Sequence, residues 1–337
     1  VEGSSYVGKA IGYRDGGTVS NIYAPSHATD IAKYVNHLLT PEQVFEQSTY
    51  QMASFDFTSV WVMDTVSGLP VLQFHPETVE KVPMFTDKPY LTMIDGKVYN
   101  IIYTIEDFER AKNAPEANYL LANDLDFGGY AWTPFPGFTG ISDGQGHIIR
   151  NLIINTATTN RVGLFSQIGN DGEVKNLILE NVQVHGQGYV GALAGYNYGT
   201  ITNVGVKNGE VTGKDQYIGG LVGTNGGTIQ QAYATVNVTG QGYHVGGLVG
   251  ENYGTIQHAY ATGDVTGQSY YVGGLVGRSG GTIQHAYATG NVRGNQYVGG
   301  LVGRIGGGKI ENVFALNGKV EGSSYVGKAI GYRDGGT

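Results

Sequence analysis

Residues 255–267 read Thr-Ile-Gln-His-Ala-Tyr-Ala-Thr-Gly-Asp-Val-Thr-Gly, and residues 282–294 read the same apart from Asn291 for Asp264 and Arg293 for Thr266. The offset is 27 residues, and the pair belongs to a longer series. Its opening apolar residue recurs as Ile149, Val174, Ile201, Ile229, Ile256, Ile283, Ile310 and, near the start of the chain, Val19. Three positions on stand Leu152, Leu177, Val204, Ala232, Ala259, Ala286, Val313 and Ile22, all aliphatic. Two further on stand Ile154, Leu179, Val206, Ala234, Ala261, Ala288, Ala315 and Ala24, again all aliphatic. The position between them is mixed, which is the period-2 pattern of a strand buried on one face.

The residue two after the anchor is Asn151, Asn176, Asn203, Gln231, His258, His285, Asn312 or Asn21. Asparagine tolerates left-handed backbone, so this column reads as a corner. Val211, Val238, Val265, Val292 and Val320 mark a further short strand, ended by Gly213, Gly240, Gly267, Gly294 and Gly322. A Tyr-Val/Ile-Gly-x-Leu-Val-Gly segment follows, its tyrosine placed at Tyr189, Tyr217, Tyr243, Tyr271, Tyr297 and Tyr325. A unit of about 27 residues cannot bury its apolar face alone, and stacking does this. Glycine and β-branched residues exclude helical repeats, and a propeller blade needs a longer unit. The expected architecture is all-β: a right-handed parallel β-helix with small mixed α/β caps.

Composition narrows the function classes. The chain has 337 residues, 56 of them glycine, with no cysteine and a net charge of −8. The glycines lack a Gly-X-Y period, which excludes collagen, and without cysteine there are no disulfides or thiolate metal sites. The acidic balance and the lack of a Lys/Arg run argue against nucleic acid or an anionic membrane as partner. No apolar stretch is long enough for a membrane helix, and no secretory leader opens the residues given. Residues 1–18 recur without a difference at 320–337, an offset of 319. The simplest reading is one full period of a tandem array plus 18 residues of the next; the alternative is an overlap between copies of one polymer.

The Gly-Gly-Leu-Val-Gly cores at Gly219–Gly223, Gly246–Gly250, Gly273–Gly277 and Gly299–Gly303 resemble GLUG repeats of bacterial surface and secreted proteins. Haemagglutinin-like adhesins and the non-catalytic region of IgA-cleaving metallopeptidases carry them. Residues 118–127, Phe138-Thr-Gly and residues 143–147 resemble the coil that leads into such repeats; Phe55-Asp-Phe57, Trp61 and residues 69–72 resemble the segment that closes them. The resemblance implies this order: residues 1–25 finish a preceding β-helix, 26–80 form a closing cap, 81–88 a linker, 89–127 a leading cap, and 128–337 the coils. The leading cap should hold a helix after Thr104, whose spacing to Asp107 fits a capping pattern.

The metallopeptidase reading needs His-Glu-x-x-His, and none of the eight histidines precedes a glutamate. Glu210, Asp215, Glu251, Asp264, Glu311, Glu321 and Asp334 fall at different places on the coil, so no stacked acid pair suggests a polysaccharide-cleaving site. Asp124, Asp126 and Asp143 could bind calcium or serve turns. His258 and His285 share a coil position and are weak metal candidates, or members of the corner column. Tyr233, Tyr260, Tyr287 and Phe314 should form an aromatic ladder that either stacks on itself or docks sugar rings or a neighbouring fibre. No cofactor is expected and catalytic residues are none. The whole reads as a stiff structural or adhesive stalk or filament segment of a secreted, extracellular cell-surface protein, with a carbohydrate-binding or polysaccharide-cleaving β-helix as alternative. Its partners would be tandem copies of itself, neighbouring fibres, and glycans or a host surface, with no membrane insertion.

Overall fold

The computed structural model describes residues 90–334 continuously and, before them, only the backbone of six short strands at residues 5–8, 11–14, 22–25, 37–39, 61–63 and 70–72. The expected closing cap and linker otherwise lie outside the described residues. The architecture is a β-solenoid of about 8 turns with roughly 27 residues per coil. Three sheets of nineteen, six and eight strands form its walls. Along the coils strands pair in parallel with their equivalents one coil away, as in Thr228–Ala234 on Thr255–Ala261 and Thr255–Ala261 on Thr282–Ala288; Leu91–Ile94 and Lys97–Ile102 pair antiparallel before them.

The aliphatic columns explain this. Leu177, Val204, Ala232, Ala259, Ala286 and Val313 lie in register and are buried, as are Leu179, Val206, Ala234, Ala261, Ala288 and Ala315. The valine column from Val211 to Val320 is in register as well. The glycine that follows it is dictated by packing. A Cβ on Gly213 would sit 2.0 Å from Ile218 Cδ1, and one on Gly240 2.4 Å from Val245 Cγ2. The strand after the corner folds its side chain over that position.

Two registers differ from the sequence reading. Ile149 pairs with Leu179, not Val174, and Val174 faces Ser142. In that coil the turn Asp143-Gly-Gln-Gly, with Gln145 and Gly146 at positive φ, supplies the first corner, so Asn151 moves to the corner occupied by Asn181 and Asn208. His244, not Tyr243, holds the tyrosine position of its coil: Val245 stacks on Ile218, and His244 shares the positive φ of Tyr217 and Tyr271. The inward valine sets the register: Gly240 to Val245 is the same five-residue step as Gly213 to Ile218, and within it the tyrosine stands one place early.

One end of the stack is plugged. The helix α1 (Ile105–Ala111) starts at Thr104, whose hydroxyl accepts from Asp107 N–H while the Asp107 carboxylate accepts from Thr104 N–H. Reciprocal capping of this kind satisfies two orphan donors. Its buried Phe108 stacks on Trp132 at 5.2 Å and meets Phe135 and Phe165. At the far end, Ser5–Gly8 and Ile11–Arg14 pair in parallel with Ser324–Gly327 and Ile330–Arg333, identical residue on identical residue.

Where a carbonyl of one coil faces the next, side chains are excluded. A Cβ on Gly254 would lie 2.0 Å from the Gly227 carbonyl oxygen, whereas on Gly318 it would meet only Asn291 Oδ1 at 3.4 Å. Gly254→Ala should therefore cost about 2–4 kcal/mol through backbone displacement, and Gly318→Ala should stay within about 0.5 kcal/mol. Urea unfolding of the two variants checks the contrast.

Candidate functional site

The expected aromatic ladder forms, and its rings face one another. Tyr233 and Tyr260 stack at 5.1 Å and 6°, Tyr260 and Tyr287 at 5.0 Å and 5°. Phe314 continues the row in register with Tyr287. The row begins over Gly205, where a Cβ would fall 2.2 Å from Tyr233 Cζ. The four residues are 6, 6, 1 and 0% exposed and have further partners. Their geometry is that of a buried stack along the sheet, with no open face for a sugar ring.

His258 and His285 stack at 5.0 Å and 11°. Both hold the left-handed corner, φ 51° and 49°, together with Gln231, Asn203 and Asn312. Their neighbours in the column are amides: His285 Nε2 lies 3.2 Å from Asn312 Nδ2, and Asn203 donates to Asn176 at 2.9 Å. Among the described residues no group of three or more His, Cys, Asp or Glu is placed to hold a metal ion. Asp126 accepts from Asn151 at 2.7 Å and from Gly128 N–H at 2.9 Å, which holds its carboxyl below the usual range. Asp143 accepts from Gln145 N–H and Asn176, and Asp124 pairs with Arg150 and His147. All three carboxylates serve turns and inter-coil bonds.

The sequence reading missed a second amide ladder, which is buried. Asn197 donates to Asn225 Oδ1 at 2.8 Å, Asn225 to Asn252 Oδ1 at 2.8 Å, and Asn252 to Ser279 Oγ at 3.3 Å. Each Nδ2 also reaches a glycine carbonyl of its own turn, at Gly199, Gly227 and Gly254. An amide is both donor and acceptor, so a column of identical residues satisfies itself. Ile168 and Ile305 occupy the same column beyond it on either side. Spacings of 28, 27 and 27 residues were the available signal.

The most open chemistry lies where the second and third sheets meet. Tyr189, Tyr217, His244, Tyr271, Tyr297 and Tyr325 stack in one column with centroids 4.6–5.1 Å apart. Beside it runs a polar column in which buried Glu251 binds Arg278 at 2.5 Å and accepts from Tyr253 Oη at 2.8 Å. The Arg304 guanidinium donates to Tyr271 Oη at 3.0 Å and pairs with Asp334. Burial, with Glu251 nearby, pushes the Tyr217 phenol up to about 12. Burial, helped by Arg278 and Arg304, pushes the His244 imidazole down to about 3, so it stays neutral although Glu251 is 3.9 Å away. Tyr198 and Tyr253 extend from this region into solvent, 41 and 54% exposed.

The GLUG motif matches residues 215–239, 241–266, 268–293 and 294–321, so these four coils are GLUG repeats. Two relatives align with parts of the chain. Halomucin of Haloquadratum walsbyi is 39% identical over 146 residues, 41% of this chain. A protein of Evansella cellulosilytica described as a Gly-rich membrane protein is 42% identical over 92 residues, 25% of this chain. The chain spans 2% and 11% of these relatives' lengths. The solved structure of a Bacteroides ovatus protein, provisionally described as an immunoglobulin A1 protease, superposes with a TM-score of 0.55 and 20% identity, over 72% of this chain and 85% of that one. That likeness shows the fold alone.

Two measurements test these columns. Asn225→Leu takes one acceptor from the Asn197 amide and the donor from Asn252 Oδ1 in a dry interior, and should cost about 1–3 kcal/mol in chemical unfolding. His244 binds no proton in the folded state between its ordinary value of 6.5 and about 3, whereas the unfolded chain does. Stability should therefore fall as pH drops through that window, by up to about 1.4 kcal/mol per pH unit. His244→Tyr, the residue of the neighbouring coils, should remove that slope.

Proposed function

We propose that this chain is a stiff, non-catalytic stalk or filament segment of a large extracellular surface protein, presenting repeated weak contacts rather than one reactive centre. The observation that carries this reading is the uninterrupted like-on-like stack. Three parallel walls are continued coil after coil by buried aliphatic, amide and aromatic columns. Such a stack resists bending because any hinge would break several inter-coil bonds at once. The coil carboxylates support a non-catalytic role by being engaged: Glu180 with Arg150 and Lys207, Glu251 with Arg278, Glu311 with Lys309.

The similarity to segments of Halomucin and of a Gly-rich membrane protein supports a surface location. Among the described residues no helix is long and apolar enough to cross a membrane. The division into a closing cap at 26–80, a linker, a leading cap and the coils belongs to the same proposal, as does assembly with further copies. In-register pairing of residues 5–8 and 11–14 with their duplicates supports the idea that one copy's coil can seat on another's.

The test is length. Proteins carrying one, two and three copies of the 319-residue period should appear in electron micrographs as rods, each coil contributing about 4.8 Å. Rod length should rise in proportion to copy number. Compact particles of constant width-to-length ratio would contradict the proposal.

A further inference from the structure

Tyr198 and Tyr253 follow the buried amide ladder directly, and their place on the coil is the same: Asn197, Asn225 and Asn252 are in register, so the next residues form the column Tyr198, Gly226, Tyr253, Gly280. Aromatic residues thus alternate with glycine, and the two rings stand two coils apart, about 10 Å at ~4.8 Å per coil.

The glycines decide how the rings lie. A Cβ on Gly226 would be 3.2 and 3.5 Å from Tyr198 Cδ1 and Cε1, and one on Gly280 3.6 and 3.9 Å from the same atoms of Tyr253. Each ring therefore leans across the bare backbone of the following coil. Both are also fixed in place. Tyr198 rests on Tyr196 at 4.4 Å and 19°. The Tyr253 hydroxyl donates to Glu251 at 2.8 Å and accepts from Arg278 at 3.2 Å, with the guanidinium 5.8 Å from the ring centroid. Held phenol rings cost little entropy on binding, and Tyr198 and Tyr253 are 41 and 54% exposed. The row at Tyr233, Tyr260 and Tyr287 is buried.

From this geometry we propose that Tyr198 and Tyr253 form a two-platform binding site for an extended, unbranched β-1,4-linked glycan lying along the solenoid axis. In such a chain successive pyranose rings turn over, so every second ring presents the same C–H-rich face, and that two-sugar repeat matches the distance between the platforms. Arg278, whose guanidinium reaches the Tyr253 hydroxyl, supplies a polar group at the margin. The site is independent of the stalk proposal: a rod can lack it, and a chain that is not a rod can retain it.

Binding of cellohexaose and chitohexaose, measured by calorimetry and by tyrosine fluorescence, tests this. At least one hexasaccharide should bind, and cellobiose or chitobiose should bind at least tenfold more weakly, because a disaccharide reaches one platform only. Tyr198→Ala and Tyr253→Ala should each weaken hexasaccharide binding about tenfold or more. Tyr243→Ala should leave it unchanged; that ring is similarly exposed but stands in the row with Tyr270, outside the column of Tyr198 and Tyr253. No binding of either hexasaccharide, binding that ignores chain length, or binding unchanged in Tyr198→Ala and Tyr253→Ala would each overturn the proposal. The length comparison uses the unaltered protein and so does not depend on the variants folding.

Discussion

Everything in this chain follows from one geometric condition: the neighbour of each residue along the axis is its own equivalent one coil away. For aliphatic side chains the condition is easily met, and two such columns run the length of the coils. For amides it is met because an amide is complementary to itself, which is why Asn197, Asn225 and Asn252 can be buried in one column. For phenol rings it is met by stacking. For charges it fails, since like charges one coil apart repel. The chain resolves that by exchanging sign or polarity between coils: Glu251 below Arg278, Glu180 between Arg150 and Lys207, Asp264 between Asn237 and Asn291. Where like charges do follow one another, at Arg278 and Arg304, each has its own carboxylate, Glu251 and Asp334.

The columns were legible in the sequence wherever spacing and chemistry agreed. Ala232, Ala259 and Ala286 sit at constant intervals and are apolar, so both signals place them inside. The corner column was readable because left-handed backbone favours asparagine, and its φ values near 50–57° bear this out for Asn176, Asn203, Gln231, His258, His285 and Asn312. The registers that went astray did so for two different reasons. Counting tyrosines favours Tyr243, but the core counts valines, and Val245 puts His244 in the column. In the leading coil an Asp-Gly-Gln-Gly turn replaces an asparagine corner, so no residue identity marked the equivalence with Asn176.

Burial of polar and aromatic columns was the part that spacing alone could not give. Asn225 and Asn203 look alike in sequence, each an asparagine repeated at 27 residues, and both are buried, yet one belongs to a strand-end ladder and the other to a corner. What separates them is the backbone: Asn203 holds φ 56°, and Asn225 ends a strand. The tyrosines differ in burial. Tyr233 and Tyr253 both recur near glycine, and only the three-dimensional packing leaves one buried and the other open. A period identifies which residues are equivalent; it does not say on which side of the wall the equivalent set lies.

The two ends of the stack are unlike, and this gives the solenoid a direction. At the leading end Phe108, Trp132, Phe135, Phe138 and Phe165 fill the lumen, and Lys112 lies over the Trp132 ring at 3.6 Å. A coil cannot add through that plug, because its aliphatic columns would meet aromatic rings and a helix in place of strand edges. Among the described residues, the coil 320–333 at the other end meets no aromatic plug. Its aliphatic core continues in Val326, Ala329 and Ile330, while the position of Ile305 passes to buried Arg333, and Lys328, whose amine burial pushes down in pKa, donates to the Asn317 carbonyl. Its strands carry on into parallel pairing with strands of the same sequence. The described ends thus differ in kind: one covers strand edges with rings and a helix, the other offers them to strands of identical sequence, and that difference gives the solenoid its direction.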